Sequence, residues 1–177
     1  MGEMKKLEDY VISIPDFPKP GILFRDVTGL LASNEGLRLA IDGCCRCLEG
    51  LDFDLVLGME SRGFLFGAPV AYRMGKGFLT VRKPGRLPRA TISESYDLEY
   101  GQAQLEMHRD DIRPGQRVVI VDDLLATGGT ASAAARLVER LGGTVVKVVF
   151  LIELVDLGGR AKLAKYPVDS LIGFPGH

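Results

Sequence analysis

The sequence has no tryptophan, only two histidines and no excess of either charge: 22 Lys and Arg stand against 23 Asp and Glu, a net charge of −1. A near-neutral chain lacks the basic surface by which proteins hold nucleic acid or anionic membranes through bulk electrostatics. No apolar run approaches the roughly 20 residues that cross a bilayer. The opening Met1-Gly-Glu-Met-Lys-Lys has no apolar core of a secretion signal, so the cytoplasm is the expected compartment. Cysteine is scarce and clustered at Cys44, Cys45 and Cys47. Cys44-x-x-Cys47 has a metal or redox spacing, yet no second cysteine pair exists, and His108 and His177 are far along the chain. With Leu37, Ile41 and Leu48 these cysteines fall on the apolar face of an expected helix over about residues 34–50, which predicts buried, reduced thiols.

What is present is organised around residues 117–142. Val118-Val-Ile-Val121 is the β-branched run of a short, fully buried strand. Asp122 and Asp123 follow, then a turn containing Gly128 and Gly129, then Ala134, Leu137, Val138 and Leu141 at the spacing of a buried helical face. Strand, glycine turn and helix together aim free backbone N–H groups at an anion, and Thr127 and Thr130 add hydroxyl donors. No lysine follows the glycines, so the pattern is neither GxxxxGK[ST] nor GxGxxG, and neutral donors suit a monophosphate. The aspartates would repel phosphate; they suit sugar hydroxyls or a hydrated Mg²⁺ about one sugar's width away. Phosphate on one side and a diol on the other describes ribose 5-phosphate. Without the glycine turn, an acid pair at a strand end would equally cap a solvated loop.

The remaining segments alternate. Residues 4–12 form a short helix or arm, and the prolines of Ile14–Gly21 exclude helix there. Strands are expected over 53–57 and 78–82, a helix over 64–74, and a two-stranded excursion from Thr91 returning through Gln104–Met107. A long strand follows over Thr144–Leu154, then a short helix (157–165) and a last strand (168–173). Buried strands alternating with helices imply an α/β fold with a central parallel sheet flanked by helices, and 177 residues without repeat or linker imply one domain, 1–177. The Gly58–Gly63 turn offers a second anion site, with Arg62 as a fork-shaped donor; alone, it equally reads as a solvated arginine on a tight turn.

VVIVDDLLATGGT (118–130) resembles the phosphoribosyl-pyrophosphate signature of the type I phosphoribosyltransferases, and its LLATGGT form is similar to that of the adenine phosphoribosyltransferases. IPDFPKPGILFRDVTGLL (14–31) resembles their N-terminal hood, GMESRGFLFG (58–67) their pyrophosphate loop and SESYDLEYG (93–101) their catalytic lid. The resemblance implies the type I phosphoribosyltransferase fold, with a small hood mainly over 1–33 and a flexible lid over about 82–107. It implies transfer of the phosphoribosyl group from phosphoribosyl pyrophosphate to adenine, giving AMP and pyrophosphate with Mg²⁺ in a homodimer, a purine-salvage reaction.

Residue by residue, the resemblance implies that Ala126, Thr127, Gly128, Gly129 and Thr130 hold the 5′-phosphate. Asp122 and Asp123 fix the ribose hydroxyls, directly or through metal-bound water. Glu60, Ser61, Arg62, Arg82, Lys83 and Arg86 surround the pyrophosphate, with a cis peptide expected near Glu60–Ser61 and Arg82 reaching the neighbouring subunit's site. Leu23 and Phe24 bracket adenine, backbone groups around Arg25 read its edge, and Leu154 covers its other face. Glu99, protonated, serves the purine N7, Tyr100 excludes water and Arg62 neutralises the leaving group. Glu153 pairs rather than acts. A phosphoribosyltransferase for xanthine or guanine, or a non-catalytic regulator of the same fold, stands as the alternative.

Overall fold

The structure, a computed structural model, describes residues 5–98 and 100–176. Its centre is a five-stranded, all-parallel sheet in the order β4 (Gly77–Val81), β3 (Leu55–Met59), β7 (Arg117–Leu125), β8 (Thr144–Leu154), β9 (Val168–Phe174). The middle strand shows why its sequence is an unbroken β-branched run. Val118 and Ile120 point into one apolar layer, completed by α4 (Gly129–Arg140). Val119 and Val121 point into the other, completed by α2 (Asn34–Cys47) and α3 (Arg62–Met74). All four are fully buried, so neither face of the strand tolerates a polar residue.

Most expected elements form, with three shifts. β7 does not stop at Val121 but runs to Leu125, so Asp122 and Asp123 are strand residues, held in register against Phe150 and its neighbours on β8. The helix expected over 157–165 is a 3-10 turn and a single α turn, α5 (Gly159–Lys162), because Gly158 turns left-handed between them. The N-terminal arm is a 3-10 turn (Leu7–Tyr10) followed by β1 (Ile12–Pro15), which pairs antiparallel with β2 (Leu23–Asp26); the proline-rich link carries a cis Phe17–Pro18 bond. A five-residue helix, α1 (Thr28–Ala32), leads into α2, whose N-cap Ser33 Oγ accepts from the Gly36 N–H at 3.1 Å. Cys44 and Cys45 are buried, Cys47 half-buried, and all three are free thiols. Burial pushes the Cys44 thiol up to about 12, which makes it inert packing as expected.

The excursion is a regular antiparallel hairpin, β5 (Thr91–Asp97) with β6 (Gln102–His108). Its body is not loose. Leu105 and Met107 enter the core, and Glu94 on β5 is gripped by α4: Arg136 Nε donates to it at 2.7 Å and Arg140 Nη1 at 3.0 Å. Arg136 also donates to Ser132 Oγ and to the Ser95 carbonyl, tying the hairpin to the first turns of α4. The two guanidinium groups hold the Glu94 carboxyl below its ordinary range, so it contributes stability above its unfolded value and loses it as pH falls through the folded one. Glu94→Gln is therefore expected to destabilise by about 1–2 kcal/mol at neutral pH in denaturant unfolding and to speed hydrogen exchange along 91–97. The stability difference between the two proteins should hold above about pH 5 and shrink below about pH 4; a pH-independent difference would refute the charge-based clamp.

Candidate functional site

β3 and β7 are neighbours in parallel register, Gly58 opposite Val121, so the turns after them leave the same end of the sheet side by side. Open α/β sheets bind ligands in this position. Between the turns lies a cavity of about 500 Å³, lined by Glu60, Ser61, Arg62 and Gly63, by Asp122 and Asp123, and by residues 126–131. The Asp pair and the residues at the start of α4 thus line one space.

On the acid side, Asp123 is 8 % exposed and its Oδ2 meets Arg62 Nε at 2.5 Å. Asp122 keeps a window on the cavity and is otherwise enclosed by protein; a Cβ on Gly63 would stand 2.7 Å from its Oδ1, so only glycine fits at the start of α3. Burial first, and then the charge of Asp123, push the Asp122 carboxyl well above its ordinary value. The Asp123 N–H, donating to Asp122 Oδ1 at 2.9 Å, offsets only part of this. The pair thus shares one cation, Arg62, with Asp122 left short of a partner.

On the phosphate side, Gly128 takes φ +80° as the N-cap of α4. A helix leaves its first N–H groups without intrahelical partners, and Gly129, Thr130 and Ala131 line the cavity. A Cβ on Gly128 would stand 2.6 Å from the Gly159 carbonyl oxygen, so the glycine is demanded by protein backbone behind the loop as well as by any ligand in front. Gly159 in turn has no room for a Cβ, which would strike the Ala126 carbonyl.

The cations divide differently from expectation. Lys83 and Arg86 line the cavity; Arg82 does not. Glu60 takes Arg82 for itself, accepting from Nε and Nη2 at 3.1 Å each and from the Lys83 N–H at 3.2 Å, and these donors hold its carboxyl below the usual range. Arg82 is thereby engaged within its own chain, because a carboxylate on the cavity wall needs a counter-charge. The peptide between Glu60 and Ser61 is cis, as the sequence predicts. Arg89 turns away to Asp110, Asp111 and His108 at the base of the hairpin.

None of Leu23, Phe24, Arg25 and Leu154 lines this cavity; of the four, Phe24 touches a residue that does, Arg62. The Arg62 guanidinium lies 5.6 Å from the Phe24 ring, Arg25 stacks 4.3 Å over Phe174, and Leu154 sits opposite Phe174 in the β8–β9 register. Phe174 joins the hood to the sheet and was invisible as a site residue because it closes an ordinary apolar strand. Glu153 pairs with Arg160 and Ser170, as expected. Glu99 lies outside the described residues; Tyr100 is 92 % exposed and lines a second cavity that shares Thr127, Gly129 and Thr130 with the first. Tyr96 and Lys162 on that second cavity were not anticipated; the Gly158-Gly159 pair ahead of Lys162 was the available signal of a close approach.

The phosphoribosyl transferase domain family matches residues 46–172. Adenine phosphoribosyltransferase from Agathobacter rectalis is 58 % identical over 98 % of this chain and 99 % of its own. The crystal structure of adenine phosphoribosyltransferase from Thermoanaerobacter pseudethanolicus superposes with a TM-score of 0.93 at 54 % identity, covering 96 % of this chain and all of that one. The Trypanosoma brucei enzyme, solved with AMP, pyrophosphate and ribose-5-phosphate, superposes at 0.86 with 26 % identity, over 94 % of this chain and 78 % of its own. On these matches the chain belongs to the adenine phosphoribosyltransferases, within the phosphoribosyl transferase family.

Proposed function

We propose that the cavity between the two loops takes phosphoribosyl pyrophosphate and adenine and releases AMP and pyrophosphate. The observation that carries this reading is the shared cavity: two carboxylates and a helix N-terminus line one space. Amides and hydroxyls of 126–130 grip the 5′-phosphate, and the helix dipole of α4 favours its charge. Asp122 and Asp123 accept from the ribose hydroxyls. Arg62, Lys83 and Arg86 face the pyrophosphate and offset the charge that grows on it as the anomeric C–O bond breaks. The purine nitrogen attacks from the hood side, between Phe24 and Leu154, with no covalent enzyme intermediate. A backbone carbonyl of the Leu23–Arg25 segment accepts from the exocyclic amine and opposes a 6-oxo group. Glu99 serves N7 as a protonated acid, and the 97–101 tip covers the site.

Mg²⁺ fits this donor set. Among the described residues no three His, Cys, Asp or Glu side chains converge, and an adjacent carboxylate pair suits an ion that draws most of its ligands from substrate oxygens and water. When bound, it neutralises phosphate charge; the protein's part is to hold the sugar. A second copy of the chain is the proposed partner, supported by Leu65 (46 % exposed) and Tyr72 (90 %) on the outer face of α3. No helix of the described residues is long and apolar enough to cross a membrane, and the cytoplasm is the proposed compartment.

With phosphoribosyl pyrophosphate and Mg²⁺, adenine should be consumed at least roughly 10³-fold more efficiently than hypoxanthine, guanine or xanthine; comparable kcat/KM values would overturn the base assignment. Asp122→Asn should cut turnover at least about 10²-fold while raising the Tm of the ligand-free protein at pH 7.5. The sign follows from the raised folded value: protonation is favoured in the native state, so the ionised side chain costs stability at neutral pH, and that cost fades as pH falls through the folded value. The Tm gain should therefore vanish in acid; a loss of stability at pH 7.5 would contradict the strained pair.

A further inference from the structure

The phosphate loop rests on a segment outside its signature. Besides meeting the Gly159 carbonyl, a Cβ on Gly128 would stand 3.3 Å from the Lys162 Cβ, so α5 presses directly against the loop. This packing carries the Lys162 ammonium to 4.0 Å from where a Gly129 Cβ would sit. It opens on the second cavity, of about 650 Å³, which takes in Thr127 and Thr130 from the loop and Tyr96 and Tyr100 from the hairpin. Its neighbours in sequence are committed: Arg160 to Glu153 at 2.8 Å and Lys165 to Glu139 at 3.5 Å. Lys162 enters no ion pair among the described residues.

The charges around the loop give this lysine a purpose. Arg62 is paired with Asp123, and Arg82 with Glu60. Lys83 and Arg86 line the first cavity but not the second. Asp122 and Asp123 place negative charge within the same cavity as the loop. On the side of the loop that opens to the second cavity, Lys162 is the cation among the lining residues.

We propose that Lys162 is a phosphate-binding residue, whose ammonium closes on 5′-phosphate oxygens turned away from the α4 amides. The proposal rests on the reading of the 126–130 loop as the ribose-phosphate anchor. Lysine suits the role: a compact charge with three donors on a flexible stem reaches a tetrahedral anion from the side without a fixed fork geometry. Standing at an exposed rim, the contact weakens with salt.

The test compares AMP with adenosine, which lacks the phosphate, by calorimetry on the full-length wild type, Lys162→Gln and Lys162→Arg. At low salt Lys162→Gln should weaken AMP binding about tenfold and leave adenosine within about twofold, while Lys162→Arg stays within about threefold of wild type for both. The Lys162→Gln deficit should shrink at about 0.5 M salt. Unchanged AMP affinity in Lys162→Gln overturns the proposal, as does an equal loss for AMP and adenosine, which marks damage to the pocket. A lower kcat with unaltered AMP affinity also overturns it and assigns Lys162 to the hairpin instead. If the wild type itself binds AMP no more tightly than adenosine, the loop is not a phosphate anchor and the proposed function fails first.

Discussion

Two carboxylates stand side by side at the end of a buried strand with one guanidinium between them. Asp123 takes Arg62, and Asp122, enclosed and beside a like charge, is held towards its protonated form. Such a pair is costly to a ligand-free protein, and Arg62 with the Asp123 N–H relieves only part of that cost. Sugar hydroxyls, which donate, relieve it directly. A bound cation does the same by charge. Much of the surrounding structure serves to keep the pair where it is: β7 continued past its apolar run, Gly63 closing on Asp122, and Glu60 kept neutral in effect by Arg82.

The opposite wall is built from backbone. Gly128, Gly159 and the Ala126 carbonyl pack so closely that no side chain fits between them. That contact fixes the loop from behind and leaves its amides to face the cavity. The hairpin is tied to the same helix through Glu94, Arg136 and Arg140, so the hairpin body and the start of α4 form one unit. At the hairpin tip the Leu98 N–H donates to the Gly101 carbonyl, and Gly101 takes φ +85°.

What the sequence made legible follows from where the physics is local. The β7 run, the glycine turn and the α4 periodicity each depend on neighbours in sequence; the turn and the helix formed as predicted, and the strand formed but ran on to Leu125. Asp122, Asp123, Arg62 and the 126–130 loop converged because both loops leave adjacent parallel strands at the same end. Partners distant in sequence were not legible. That Glu60 would take Arg82 out of the cavity depends on a pairing 22 residues apart, and Phe174 beneath Arg25 depends on β9 lying next to β8. Lys162 was missed for the same reason: a cation 32 residues beyond the signature's last threonine carries no mark of the loop it touches. The strand's extension through the two aspartates was hidden because acidic residues lower β propensity, which ladder pairing with β8 overrides.

The central claim is that one cavity holds a ribose by its hydroxyls on one wall and by its 5′-phosphate on the other. Backbone amide shifts followed by NMR during titration with ribose 5-phosphate and Mg²⁺ test it most directly. The account predicts the largest perturbations at the amides of 127–131 together with Asp122 and Asp123, saturating at one common dissociation constant. Perturbations confined to one wall, or two walls titrating independently, would contradict it.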